Sequence, residues 1–196
     1  MKELKGKLIK RREGNSVLIL LSGGLDSCAL VHYYLSKHYK VKALHFDYGQ
    51  PSKSRERQAV ELIAKYYKID VQIATLGFPL NERKGEYVGR NALFLLAAAN
   101  LLPVDVSKIS LGIHSGTPYY DCSHIFIEDC TKILDGYFAG SVTLEAPFID
   151  FTKAQIYEYC VRERVPIYLT YSCERGYKEP CGECLSCIDR SVLIGF

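Results

Sequence analysis

The chain lacks any run of about 18 consecutive apolar residues, so it encodes no membrane-spanning helix. Its first residues, Met1 to Asn15, are basic but carry no apolar stretch of the kind a secretory signal needs, so the expected compartment is the cytoplasm. Net charge is small. Lys and Arg number 25 against 22 Asp and Glu, a formal +3 that does not by itself imply nucleic-acid binding, although it tolerates a phosphate-bearing ligand. No large basic patch extends beyond Lys5 to Arg12. Internal repeats, low-complexity segments and linkers are also missing. A Gly-x-Gly-x-x-Gly string is absent, as is a Gly-Lys-Ser/Thr ending, which excludes the dinucleotide fingerprint and the Walker loop. Disorder is excluded by composition: 48% hydrophobic and 24% charged residues are globular values. The 196 residues suffice to bury about 70% of the unfolded surface.

Cysteine is abundant, with eight residues. In a reducing compartment structural disulfides are rare, so spacing matters more than number. Cys28, Cys122, Cys130 and Cys160 are scattered and read as packing residues, with Cys122 the one to test as a functional thiol. Cys173, Cys181, Cys184 and Cys187 are clustered as Cys-x7-Cys-x2-Cys-x2-Cys. Four thiolates in one short segment match the tetrahedral demand of zinc, and Gly182 frees the turn between ligands. A four-cysteine iron–sulfur cluster uses the same donors and is the competing reading.

Hydrophobic patterning sets the fold class. Residues 17–21 (VLILL) read as a buried strand, Leu25 to Lys37 as a helix, 41–46 as a second strand, Pro51 to Lys68 as an amphipathic helix and Ile69 to Thr75 as a third strand. On the amphipathic helix the expected buried face is Ala59, Leu62, Ile63 and Tyr66. Strand, helix, strand, helix, strand argues for parallel βαβ units. Phe78 to Val88 reads as a loop, Arg90 to Leu102 as a buried helix, Lys108 to Ile113 as a strand and Ser123 to Phe138 as a helix. Val142 to Ala146 reads as a short strand, and Thr152 to Arg164 as a helix with Thr152 as its N-cap. The expectation is an α/β domain over residues 1–165 with a small four-cysteine module over 166–196.

Ser22-Gly23-Gly24-Leu25-Asp26-Ser27 joins the first strand to the first helix. Two glycines allow a sharp turn and close backbone approach, and the helix start offers free N–H groups to an anion. Ser22 and Ser27 add hydroxyl donors, so the loop reads as a phosphate or pyrophosphate cradle. Asp26 is odd beside a phosphate unless it caps the helix or holds a metal ion. His45-Phe46-Asp47-Tyr48-Gly49-Gln50 closes the second strand, at the end where open α/β sheets bind ligands. Val88-Gly89-Arg90-Asn91 opens the apolar helix, and an arginine there can fork to a phosphate or carboxylate. Asp121-Cys122 precedes a helix that the Asp could cap. Lys153 sits at a helix start, unfavourable for the dipole, which suggests an anionic partner.

The string Ser22 to Ser27 is similar to the PP-loop of the ATP pyrophosphatase superfamily, whose members cleave ATP between its α and β phosphates and adenylylate a substrate. Taken with Phe46-Asp47-Tyr48-Gly49-Gln50, Gly89-Arg90-Asn91, Asp121-Cys122 and the four-cysteine tail, the chain resembles the 7-cyano-7-deazaguanine synthase (QueC) family from about Leu18 to Arg190. That resemblance implies a Rossmann-like, adenine nucleotide alpha hydrolase-like parallel sheet with helices on both faces. It implies a homodimer, ATP with magnesium, and one zinc ion per chain. It also implies a ligase that converts the carboxylate of 7-carboxy-7-deazaguanine, with ammonia, through an amide to a nitrile. Nucleotide contacts would come from Leu21, Ser22, Gly23, Gly24, Leu25, Asp26, Ser27, Phe46, Asp47, Tyr48, Gly49, Gln50, Arg90, Asn91 and Asp121. Catalytic roles would fall to Ser22, Asp26, Ser27, Arg90 and Lys153. Phe46, Tyr48 and Asp121 are candidates for stacking on the deazapurine and bonding its edge. The chain departs from the family before Asp121: Gly112 to Tyr120 holds no acidic residue and Ser123 stands in place of an arginine. A carboxylate is the natural acceptor for a guanine-like N–H edge. An alternative outcome is therefore ligation of the deazapurine carboxylate to an amine of another molecule, such as a protein. A PP-loop tRNA thiolase is a further alternative.

Overall fold

The apolar run after Asn15 becomes β1 (Ser16–Leu20), and the glycine loop delivers the chain directly into α1 (Leu25–Ser36). The structure, a computed structural model, describes residues 15–83, 86–116 and 119–194. The basic run Lys5 to Arg12, and Thr117 and Pro118 of the stretch before Asp121, lie outside the described residues. From α1 the chain continues through β2 (Lys40–Asp47), α2 (Lys53–Tyr67) and β3 (Asp70–Thr75). It goes on to α3 (Arg90–Asn100), β4 (Lys108–Ser110), α4 (His124–Phe138), β5 (Thr143–Glu145) and α5 (Lys153–Arg162), and ends in α6 (Leu185–Ile194). The five strands are all parallel, in the order β3-β2-β1-β4-β5.

Because side chains alternate along a strand, β1 feeds two cores. Val17 and Ile19 pack with α1, α2 and α5, whereas Leu18 packs with α3 and α4. The sheet is thus covered on both faces, as parallel strands require. Tyr34 ties α1 to the far edge of the sheet, its hydroxyl donating to Glu145 Oε2 at 2.6 Å and lying 3.0 Å from Ser110 Oγ. No helix among the described residues is long and apolar enough to cross a membrane.

Three local expectations are corrected. On α2 the buried residues are Ala59, Val60, Ile63 and Ala64, while Leu62 and Tyr66 are 43% and 51% exposed. The helix is rotated so that its small residues meet the glycine loop and the sheet. The apolar helix α3 buries only Leu95, Ala98 and Ala99, leaving Leu96 and Leu101 outward, because one face alone meets the sheet. β4 ends at Ser110, short of Ile113. Leu111 still bonds Glu145, but Gly112 then turns against the backbone of Asp26 and Ser27, where a Cβ would come within 3.2 Å. α5 starts as expected at Thr152, which forms a full capping box with Gln155.

Candidate active site and metal centre

Strand order reverses between β1 and β4, and in open parallel sheets ligands bind in the crevice at such a switch point. The glycine loop leaves β1 there, and the segment Gly112 to Gly116 leaves β4 beside it. Gly23 has φ +88°, and an added Cβ would stand 2.9 Å from the Glu56 carbonyl oxygen and 3.1 Å from Ala59 Cβ. The position therefore needs glycine for conformation and for space. Gly24 is the N-cap of α1 and supplies no side-chain cap, so the first-turn N–H groups of the helix remain open to an anion. Ser22 and Ser27 hydroxyls meet at 3.1 Å, Gly24 N–H donates to Ser22 Oγ at 3.3 Å, and Ser27 Oγ donates to the Gly24 carbonyl at 3.0 Å.

Asp26 does not cap the helix. Its Oδ2 accepts from Lys153 Nζ at 2.5 Å, and its Oδ1 is buried with no hydrogen-bond partner among the described residues. An orphaned carboxylate oxygen beside open helix N–H groups suits a divalent cation shared with a phosphate, and the donor set fits magnesium. The anionic partner that Lys153 requires at its helix start is, in this state, the Asp26 carboxylate.

At the neighbouring end of β2, Phe46 stacks on Phe94 with centroids 4.4 Å apart, and Tyr48 packs beside Phe94 and Tyr87. Arg90 reaches this cluster, donating from Nη1 to Tyr48 Oη at 3.2 Å and lying 5.8 Å from the Tyr48 ring centroid. Burial pushes the Tyr48 hydroxyl up in pKa, with Arg90 opposing, so it stays a neutral donor and acceptor at pH 7. Asp47 accepts from Gly49 N–H at 3.0 Å and pairs loosely with Lys53. Gln50 turns inward: it accepts from Tyr48 N–H and donates to Glu56 Oε2 at 2.7 Å, bracing the β2–α2 turn. Asn91 Nδ2 reaches the Asp121 carbonyl at 3.5 Å. Asp121 lies in a 3-10 turn (Tyr120–Cys122), and the cap of α4 is Ser123, whose Oγ accepts from Phe126 N–H. Ser22 to Ser27 thus meet Lys153, Arg90 meets Tyr48, and Asn91 meets Asp121.

The scattered cysteines divide. Cys28, Cys130 and Cys160 are buried, and burial raises their thiols to about 12, 11 and 12, so they are inert packing groups. Cys122 is only half-buried, with its Sγ 3.9 Å from Asp121 Oδ1.

The four clustered cysteines converge. Their Sγ atoms all lie within 4.8 Å of one another. A tetrahedral ion with metal–sulfur bonds of about 2.3 Å sets its ligands about 3.8 Å apart, so a single ion fits this set. A four-iron cube interposes iron and sulfide between its thiolates and needs a wider spread. Gly182 takes φ +74° in the turn between the second and third of these cysteines. Burial pushes the Cys187 thiol up to about 12. It would raise Cys173 too, but N–H donors from Cys181 and Arg175 outweigh it and bring that thiol to about 6.

Sequence reasoning missed three contributors: His114, Tyr171 and Arg190. His114 is buried at the switch point, its Nδ1 accepting from Gly116 N–H at 3.2 Å, with Asp26, Lys153 and Asp189 within electrostatic reach. Its place just past β4, at the sheet's reversal, was the available signal. Burial depresses its pKa, with Lys153 acting in the same sense and Asp26 and Asp189 against. The folded chain therefore holds this proton less tightly than the unfolded one. Its stabilising contribution is present above the ordinary value of 6.5 and is lost as pH falls from there through the folded value. Urea unfolding across pH 7 to 5 is expected to show wild-type stability falling more steeply than that of His114→Gln. Equal slopes would contradict this.

The profile of the family described as "Queuosine biosynthesis protein QueC" matches residues 16–84 and 79–193. The chain is 31% identical over 207 residues to a 7-cyano-7-deazaguanine synthase of Prochlorococcus marinus, covering 89% of this chain and 91% of that protein. It is 32% identical over 208 residues to the synthase of that name from Acetivibrio thermocellus, covering 91% of each. Among solved structures, a U34-tRNA thiolase NcsA from Methanococcus maripaludis with its [4Fe-4S] cluster aligns with TM-score 0.53 at 17% identity, over 93% of this chain and 65% of that one. A predicted subunit of tRNA methyltransferase from Methanocaldococcus jannaschii aligns with TM-score 0.51 at 17% identity, over 75% of each. At that identity the two structures establish a shared fold and nothing further.

Proposed function

The chain belongs to the family of queuosine biosynthesis protein QueC, and from that premise we propose that it is an ATP-dependent carbon–nitrogen ligase that converts 7-carboxy-7-deazaguanine to 7-cyano-7-deazaguanine. The observation that carries this reading is the Asp26–Lys153 pair at the open end of α1, with one Asp26 oxygen buried and unpartnered among the described residues. A cation, a carboxylate and uncapped helix N–H groups at one point suit a polyphosphate and its metal.

The chemistry is limited by a poor electrophile. A carboxylate oxygen of the substrate attacks the α-phosphorus of ATP, and pyrophosphate leaves. Ammonia adds to the activated carbonyl, AMP departs with its oxygen, and a proton is lost, giving the amide. The amide oxygen attacks a second ATP, pyrophosphate leaves again, and loss of AMP and of both nitrogen-bound protons yields the nitrile. The protein contributes placement and charge. Ser22, Gly23, Gly24 and Ser27 would hold the leaving pyrophosphate, and Lys153 and Arg90 would offset the negative charge that builds on the phosphates. Magnesium, held by Asp26 Oδ1, would supply further charge neutralisation on the phosphate oxygens. Phe46, expected to stack on the deazapurine, is instead buried beneath Phe94, and Tyr48 and Phe94 offer the aromatic wall to a purine-like ring. Zinc on Cys173, Cys181, Cys184 and Cys187 would be closed by four ligands and so would fold the tail without entering the reaction.

Mass spectrometry of a reaction containing ATP, magnesium, 7-carboxy-7-deazaguanine and ammonium tests the proposal. Nitrile with two AMP per product is expected. ATP cleavage that stops at an adenylate or amide, and resumes only with another amine donor, would replace it with the conjugating reaction. No ATP cleavage would refute the ligase reading.

A further inference from the structure

We propose that Arg190 is a positioning residue through which the four-cysteine centre fixes the shape of the glycine loop. The inference rests on the reading of that loop as the phosphate site. It begins with the chain just before the first cysteine. Tyr171 N–H donates to the Gly23 carbonyl at 2.9 Å, and the Tyr171 carbonyl oxygen approaches to 3.8 Å of where a Gly24 Cβ would be. This segment is therefore a wall of the loop. Between the first and second cysteines, Gly176 (φ +73°) presses on the β2–α2 turn so closely that a Cβ would fall 2.3 Å from the Pro51 carbonyl oxygen. The cysteine segment touches both loops at the crevice.

Arg190 makes that wall rigid. It lies on α6 three residues beyond Cys187, and its guanidinium donates to Thr170 Oγ1 at 2.9 Å, Ser172 Oγ at 3.4 Å and the Ile167 carbonyl at 3.3 Å. The first two acceptors flank Tyr171 on either side. A planar fork with several donors can hold two hydroxyls and a carbonyl at once, which a lysine cannot. Arg190 forms no ion pair with a carboxylate among the described residues, and the ionisable group that bears on it is Cys187, a thiol of the four-cysteine centre. A largely buried cation without a counter-charge is costly. Four thiolates around a divalent ion carry a net charge of about −2, which compensates Arg190 when the centre is filled. The metal thus favours the arginine where it stands, the arginine fixes Thr170 to Ser172, and Tyr171 fixes Gly23.

The test uses Arg190→Met in the metal-loaded protein, because methionine keeps an unbranched stem and removes the donors. The expected result is retained metal with about tenfold faster hydrogen exchange of the Gly23 to Ser27 amides, and about tenfold weaker binding of ATP and of inorganic pyrophosphate. Arg190→Lys should recover little of either, since charge without the fork does not bridge the two hydroxyls. Unchanged exchange at Gly23 to Ser27 with metal retained would overturn the proposal. Should Arg190→Met lose its metal, the pair Thr170→Val and Ser172→Ala leaves the arginine and cysteines intact and carries the same expectation and the same refutation. Faster exchange in a protein whose wild type binds no ATP would sustain the coupling and refute the phosphate-site reading. Equal ATP binding with equal exchange would do the reverse.

Discussion

Replacing Asp26 by asparagine is expected to lower AMP formation by about a thousandfold or more while the chain stays folded. Asp26 does two things that an amide cannot. Its Oδ2 carries the charge that orients Lys153 at 2.5 Å, and its Oδ1 is a buried acceptor with no protein partner among the described residues. An asparagine keeps the shape but loses the charge, so Lys153 and a magnesium ion lose their common anchor. Removing one preorganised group from such a site costs about a hundred- to a thousandfold, and here two functions are lost together. The fold should tolerate the change, because asparagine is nearly isosteric with aspartate and Asp26 Oδ1 has no hydrogen-bond partner to lose among the described residues. Lys153→Met should fall to a similar level. The double variant should be little worse than either single one, because groups that act as a unit are not additive. AMP release with substrate present is the measurement, with thermal unfolding alongside. An Asp26→Asn protein retaining more than a tenth of wild-type turnover would remove the residue from the mechanism.

That pair also shows where sequence reading ends. Strands and helices were legible because their signals are local: an apolar run before Ser22-Gly23-Gly24, helical periodicity after it, a threonine cap with Gln155 three residues on. Individual site residues were legible for the same reason, since a glycine loop and a four-cysteine spacing are short strings. What was not legible is which of them meet. Asp26 and Lys153 are 127 positions apart, and only the docking of α5 on α1 brings them together. Lys153 could be read as wanting an anion, but not which one.

The burial errors have an equally physical origin. Leu62 and Tyr66 share helical spacing with Ala59 and Ile63, so hydrophobicity favoured that face. The structure buries Val60 and Ala64 instead, because Gly23 packs directly on the backbone of Glu56 and leaves room only for small or branched side chains there. α6 escaped notice because its residues serve the cysteine centre. Leu185 and Val192 are 64% and 80% exposed, so it shows little of the buried stripe that marks a core helix.

The same weakness of α6 leads to the second large effect. Stripping the metal, or replacing Cys187 by serine, is expected to unfold residues 173–194 and to abolish ATP binding while the sheet survives. The segment has almost no core of its own: among the described residues, neither of the two hydrophobic cores draws one from beyond Leu169. Of its four clustered cysteines, Cys173 and Cys187 are 2% and 1% exposed, and without a metal their sulfurs would stay buried and unligated. Structural zinc in small modules supplies about 10–16 kcal/mol, which is the folding energy of the module itself. Losing it releases Tyr171 from Gly23 and Gly176 from Pro51, so both crevice loops lose a wall. Limited proteolysis should then cut within residues 174–186, and nucleotide affinity should vanish together with the metal. Readdition of zinc alone, to one ion per chain in a colourless protein, should restore both. A stripped protein that resists cleavage and still binds ATP would reduce the centre to an ornament of the tail. Restoration by iron and sulfide but not by zinc would replace the single ion with a cluster.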